Sequence, residues 1–170
     1  MLKIRPEDKD DYPAVFNVNL KAFNKSIEPN LVEAIRKSEN YIPELSLVAI
    51  LNNMIVGHIL FSTIAIETDN GNIPVLSLAP LAVLPEYQNR RIGSKLIEQG
   101  LESCRRLGYK IVIVVGHPNY YPRFGFLPAR SLGLEASFDV PDEAFMVLEL
   151  SPGALTNIKG TVKYPPEFGV

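Results

Sequence analysis

Seven consecutive residues hold the densest chemistry in this chain: Gln88, Asn89, Arg90, Arg91, Ile92, Gly93 and Ser94. They are polar and basic, and they open a segment in which Ile92, Leu96, Ile97, Leu101, Cys104 and Leu107 recur at spacings of three and four. That period marks one face of an amphipathic helix. The first N–H groups of such a helix have no intrahelical partner, and with the positive end of the dipole they form an anion site. Gly93 removes a side chain where a ligand would approach closely, and Arg90 and Arg91 add two fixed positive charges. The chemistry implied is binding of a phosphate or pyrophosphate; the alternative is a solvated basic turn before an ordinary surface helix. No Gly-x-x-x-x-Gly-Lys-Ser/Thr occurs, so a Walker-type loop is a poor fit.

A second group lies in residues 116–126, GHPNYYPRFGF, with His117, two adjacent tyrosines and Arg123. His58 stands among apolar neighbours, where a lone strand histidine is more often structural. Cys104 is the single cysteine and falls on the apolar helix face, which favours packing over catalysis. It excludes an intrachain disulfide framework, and no His/Cys/Asp/Glu cluster has metal-ligand spacing, so no metal is expected.

Strands must position both groups. Residues 77–84 form a mostly apolar run, the pattern of a strand buried on both faces, and Pro85 stops it. Pro80 lies within the longer strand 74–84 and cannot donate to a ladder, so a bulge or an unpaired edge is expected there. Such a break would free backbone groups near Leu81 and Val83 for a ligand. Residues 111–115 are β-branched and follow the helix, so strand, helix and strand imply a right-handed parallel crossover. Both chemical groups then lie beyond the carboxyl ends of the strands, where ligands of such sheets bind. Gly108 suits the helix C′ position.

Upstream, residues 2–5 read as a first strand. A helix follows with Tyr12, Val15, Phe16, Leu20 and Phe23 as its stripe, then a second over 30–37 with Leu31, Ala34 and Ile35 inward. Strands over 45–51 and 55–66 flank Asn52 and Asn53, a tight hairpin turn because asparagine tolerates φ > 0. Downstream, residues 127–138 and 145–150 read as a loop-rich strand pair, and residues 161–164 as a short edge strand.

The length of 170 residues suits one domain, expected over 1–170. With 17 basic and 19 acidic residues the net charge is −2, which argues against nucleic acid as a partner. No stretch approaches the apolar length of a membrane span, and residues 1–11 hold no apolar signal core; a soluble, reducing, cytoplasmic setting is expected.

The residues around the basic turn resemble the acetyl-CoA motif Gln/Arg-x-x-Gly-x-Gly/Ala of the GNAT superfamily of N-acetyltransferases. Gln88 takes its first position and Gly93 its last, and the run from Leu81 to Gln88 has the family's look. Arg91 departs from the pattern, standing where the first glycine is usual. Arginine keeps its backbone N–H for an amide cradle; a positive φ there would strain it. Tyr121, Gly125 and Phe126 match the family's Tyr-x-x-x-Gly-Phe. Together the two stretches resemble bacterial predicted acetyltransferases of the YhbS type.

The resemblance implies an α/β GNAT fold: a mixed central sheet with antiparallel N-terminal strands and a parallel V-shaped split, flanked by helices on both faces. It implies acetyl-CoA as co-substrate, bound by Leu81, Ala82, Val83, Gln88, Asn89, Arg90, Arg91, Ile92, Gly93 and Ser94. Tyr121 is the implied acid, with Tyr120 in reserve. The reaction implied is acetyl transfer to a primary amine of a small molecule or peptide by direct attack. Residues 23–29 would border the acceptor. A non-catalytic acyl-CoA-binding or sensing domain is the alternative, and a homodimer through the C-terminal strands is left open.

Overall fold

The structure, a computed structural model, describes residues 1–170. The chain opens with β1 (Lys3–Pro6), α1 (Tyr12–Phe23) and α2 (Ile27–Arg36). Three long strands follow: β2 (Tyr41–Leu51), β3 (Met54–Thr68) and β4 (Gly71–Val83). Next come α3 (Ile92–Arg106) and β5 (Ile111–Val115), then β6 (Leu127–Pro128), β7 (Leu134–Ala136), β8 (Phe145–Glu149) and β9 (Gly160–Lys163). The strands form one mixed sheet in the order β1-β2-β3-β4-β5-β8-β6, with β9 bonded to β3 and β7. Two compact units emerge, Met1–Ser62 with Leu78–Ser103 and Thr63–Ser77 with Cys104–Val170, and the long strands β3 and β4 contribute to both.

In the first unit β1, β2 and β3 pair antiparallel, with Ile4 opposite Ala49 and Val48 opposite His58. Asn52 and Asn53 turn the β2–β3 hairpin at φ 52° and 63°, both left-handed, as the two-residue turn of a right-twisted hairpin requires. Adjacent residues of a strand face opposite sides. Gly57 lies under Leu96 and Ile92 of α3, and His58 meets Asn19 of α1, so helices cover both faces of these strands. The α3 contact is close. A Cβ on Gly100 would sit 2.4 Å from the Phe61 ring, so only glycine lets the helix seat there.

The inner face of α1 differs from the expected stripe. Val15, Val18 and Asn19 are buried, whereas Leu20 is exposed. The helix is turned so that the Asn19 amide reaches His58, a pairing that hydrophobic period alone does not register. α2 starts three residues earlier than expected, at Ile27, and buries Pro29, Val32 and Ile35. α3 ends at Arg106, with Gly108 at φ 90° and the Tyr109 N–H returned to the Cys104 carbonyl at 3.1 Å. Leu107 therefore falls past the helix and is exposed rather than on its apolar face.

In the second unit β4 and β5 run parallel through Leu76 opposite Val112 and Ser77 opposite Ile113. β4 then continues through Pro80 to Val83, but its register with β5 covers only Leu76 and Ser77, in accord with the unpaired edge expected beyond them. β5 pairs antiparallel with β8 along its whole length. Ile64, Ile66, Ile113, Phe145 and Val162 form the core here. β9 is not an edge strand: it bonds β3 on one side and β7 on the other. Its distant partners could not be read from residues 161–164.

Candidate functional site

The basic turn begins where β4 stops. The Leu84 N–H donates to the Val56 carbonyl at 2.9 Å, and Pro85–Tyr87 makes one 3-10 turn. The Gln88 side-chain amide then donates back to the Val83 carbonyl at 3.1 Å, tying the loop to the strand end. Asn89 and Arg91 both adopt left-handed backbone, φ 64° and 66°. A left-handed residue followed by a right-handed one, as Arg91 and helical Ile92 are, aims successive N–H groups into one concavity, an anion-binding nest. Asparagine tolerates this conformation; in Arg91 it costs roughly 1–2 kcal/mol. The arginine at the usual glycine position has thus taken glycine's backbone geometry.

The Arg91 carbonyl accepts the Lys95 N–H at 3.1 Å, the first turn of α3. Gln88, Asn89, Arg90 and Arg91 are exposed, Ile92 is buried in the core, and Gly93 and Ser94 are half-buried in that first turn. The Arg90 guanidinium lies 5.1 Å from the Tyr87 ring centroid. On the strand before the turn, Ala82 is buried while Leu81 and Val83 are half-buried. All of these residues belong to the first unit.

The second group forms a tight loop after β5. Both Tyr120 and Tyr121 direct their N–H groups to the His117 carbonyl, at 3.1 and 3.4 Å. Tyr121–Phe124 is a single 3-10 turn closed by Gly125 at φ 99°. The Tyr121 ring stands edge-on to Tyr120 and Phe126, at centroid distances of 5.2 and 5.7 Å. A Cβ on Gly116 would come within 2.5 Å of Tyr121 Cε2, so Gly116 is the seat of that ring. Burial, and secondarily Tyr120, pushes the Tyr121 phenol above its ordinary pKa. The hydroxyl stays protonated at neutral pH and can act as a proton donor, not a base. His117 is exposed, and Arg123 lies 5.5 Å from the Tyr120 ring centroid.

Three further titratable groups, His58, Glu7 and Cys104, are held inside the fold. His58 is wholly buried. The Asn19 amide donates to the Val15 carbonyl at 3.0 Å and meets His58 Nδ1 at 3.1 Å. Nδ1 is therefore the acceptor, and Nε2–H faces Ser46 Oγ at 3.0 Å. Burial lowers its pKa to about 4, against the attraction of Glu7. Glu7 accepts from Arg36 at 2.7 and 2.9 Å and from Tyr41 at 2.7 Å. Burial raises its pKa, but those bonds outweigh it and hold the carboxyl below the usual range. Sequence reading missed this pair because its members are 29 residues apart. Cys104 is buried, which pushes its thiol up to about 12. No helix is long and apolar enough to cross a membrane.

Comparison with known proteins matches residues 3–129 to the acetyltransferase (GNAT) domain family. The chain is 40% identical over 137 residues to the uncharacterized N-acetyltransferase YjhQ of Escherichia coli, spanning 80% of this chain and 76% of that one. It is 30% identical over 166 residues to the uncharacterized N-acetyltransferase YhbS of Escherichia coli, spanning 97% of each. The crystal structure of Escherichia coli YhbS in complex with CoA superposes with a TM-score of 0.91 at 28% identity, over 99% of this chain and 92% of that one. A GNAT acetyltransferase from Brucella melitensis in complex with acetyl-CoA gives a TM-score of 0.81 at 29% identity, over 99% of this chain and 98% of that one. A basic turn that holds glycine geometry at Arg91 and a buried tyrosine seated on Gly116 thus stand in a mixed sheet of this family's architecture, and the chain belongs to the GNAT acetyltransferases.

Proposed function

We propose that this chain acts as one domain that transfers the acetyl group of acetyl-CoA to a primary amine by direct attack. The observation that carries the reading is the turn at residues 88–94, where left-handed Arg91 leads into the free N–H groups at the start of α3, the backbone sequence of an anion nest. Its donors and the two arginines suit a pyrophosphate, and half-buried Gly93 puts no side chain beside it. When bound, acetyl-CoA supplies an acetyl thioester. The Leu81, Ala82 and Val83 backbone offers N–H and C=O groups along β4 for its pantetheine arm, and a backbone N–H there would stabilise the carbonyl oxygen as negative charge develops. Tyr121 holds a proton on Oη; as the C–N bond forms and the C–S bond breaks, that proton passes to the departing sulfur, and the amine gives up its own proton to solvent or a base. The solved complexes of similar proteins with CoA and with acetyl-CoA support the same co-substrate here.

Calorimetric titration with acetyl-CoA, with CoA and ADP as comparators, tests the reading. Micromolar binding, about −8 kcal/mol, is expected, at least tenfold weaker in Gly93→Val. Tyr121→Phe should keep that affinity and lower turnover by about 10²–10⁴-fold, the range for a general acid. Undetectable binding of every CoA species would refute the cofactor assignment. Full turnover in Tyr121→Phe would refute the acid.

A further inference from the structure

A cleft opens between the start of α1 and the end of α2. It encloses about 730 Å³ and is lined by Tyr12, Pro13, Phe16, Glu33, Arg36 and Lys37, which is within the size range of small-molecule sites. Tyr12 and Pro13 open α1, and Arg36 ends α2 with Lys37 as its cap. The connection between the two helices, residues 24–26, closes the other end of the pair. The cleft also lies across the sheet from the basic turn. α3, which that turn opens, covers Gly57, whereas α1 meets the next residue, His58, which faces the opposite side. One wall is apolar: the Tyr12 and Phe16 rings follow each other one helical turn apart, both half-buried, with exposed Pro13 beside them.

The charges of the other wall are of two kinds. The Arg36 guanidinium lies over the Tyr12 ring at 3.7 Å and bonds Glu7 through Nε and Nη2 at 2.9 and 2.7 Å. Its charge is matched inside the fold, and toward the cleft it serves as packing. Glu33 and Lys37 are exposed. The ion pairs of α2 are Lys25 with Glu28 and Arg36 with Glu7; Glu33 and Lys37 join neither. They stand four residues apart with the acid first, the order that favours an ion pair along a helix, yet their heads do not meet. A carboxylate and an ammonium about 5–6 Å apart at Cβ, beside two aromatic rings, match a zwitterion that carries an apolar group. We propose that this cleft is a second ligand site, for a free α-amino acid with a large apolar side chain. Glu33 takes its ammonium, Lys37 its carboxylate, and Tyr12, Pro13 and Phe16 its side chain. A ligand with only one of the two charges leaves Glu33 or Lys37 unmatched. The site goes beyond acetyl transfer and does not depend on it.

The test is a proton–nitrogen correlation NMR titration of the full chain with L-phenylalanine. The comparators are 3-phenylpropanoate, which lacks the ammonium, and phenethylammonium, which lacks the carboxylate. Saturable shifts at millimolar phenylalanine are expected at the amides of Tyr12, Phe16, Glu33 and Lys37, and none over residues 88–94. Glu33→Gln and Lys37→Gln should each weaken phenylalanine about fivefold, the upper range for an exposed ion pair, and each comparator should bind the wild type correspondingly more weakly. Both side chains are exposed, so these variants should fold as the wild type does. No saturable shift, or shifts centred on residues 88–94, overturns the proposal. Unchanged affinity in both variants, or comparators that bind as tightly as phenylalanine, overturns it too. Saturating acetyl-CoA should leave the phenylalanine affinity unchanged; competition between them would place the amino acid in the catalytic site and overturn the second site. Absent acetyl-CoA binding, by contrast, removes the cofactor reading and leaves this site standing.

Discussion

Gly116→Ala is the most informative single change. Gly116 does not have left-handed backbone, so alanine meets no torsional penalty there, and its N–H bond to the Ala144 carbonyl at 2.9 Å can persist. The added methyl has one conflict: it would lie 2.5 Å from Tyr121 Cε2 and 3.1 Å from Cδ2, where ordinary contact starts at 3.4 Å. The ring must move by about 1 Å to restore contact distance. It has little room to do so, because Phe126 stands edge-on beside it and is itself buried. Overpacking of this kind costs about 1–3 kcal/mol, which in a chain this size lowers Tm by roughly 2–10 °C. A misplacement of about 1 Å in a group at the reacting centre costs on the order of 10²-fold in rate. The expected result is kcat for thiol release from acetyl-CoA, with a primary amine as acceptor, reduced about 100-fold, with acetyl-CoA affinity within about threefold of wild type. Gly116→Ala combined with Tyr121→Phe should be little worse than Tyr121→Phe alone, since both act through one hydroxyl. Wild-type kcat in Gly116→Ala, despite a lowered Tm, would sink the argument that Tyr121 is placed by its seat. A Gly116→Ala defect that adds in full to that of Tyr121→Phe would assign the ring to packing.

Protonation of His58 should make stability pH-dependent. Its pKa is about 4 in the fold against an ordinary 6.5, so between those values the unfolded chain binds the extra proton and stability falls as pH falls, by about 3 kcal/mol in all. Above pH 6.5 this contribution is complete. Asn19, Ser46, Glu7 and Arg36 are the groups facing the ring, and Glu7, whose pKa is held below its ordinary 4.5, adds its own loss of stability from about that pH downward, so the slope between about pH 5 and 6.5 isolates His58. Denaturant titrations at several pH values should lose the slope in His58→Gln; an unchanged slope would count against the assignment. Arg91→Gly should raise stability by about 0.5–1 kcal/mol, the left-handed strain of arginine less the backbone entropy of glycine; thermal unfolding checks it, and a lower Tm would show that the φ of 66° carries no strain. Arg36→Met leaves a Glu7 side chain of 0% exposure without its cation, and should cost about 3–5 kcal/mol, read as the urea midpoint.

Much of this protein was legible in its sequence because the information was local. The period of α3, the Asn52–Asn53 hairpin, the stop at Pro85 and the basic turn at 88–94 each depend on neighbours a few residues apart. Their backbone preferences hold wherever the segment sits. The matches at Gln88, Gly93, Tyr121 and Gly125 likewise pointed to the family because they cluster in two short stretches. The tertiary structure decided what needs distant partners. Arg91 shows the division well: its place in the motif was visible, but only the closed turn forces φ 66° on it. The face of α1 followed Asn19 to His58, 39 residues away, not the apolar stripe. Glu7 is one of several acidic residues in the sequence and becomes a buried anion only when α2 delivers Arg36. β9 became an inner strand by pairing with both β3 and β7. The placing of Asn19 and Ser46 on the two ring nitrogens of His58 has no counterpart in residue type or spacing, because burial with its partners is a property of the packed chain and of nothing shorter.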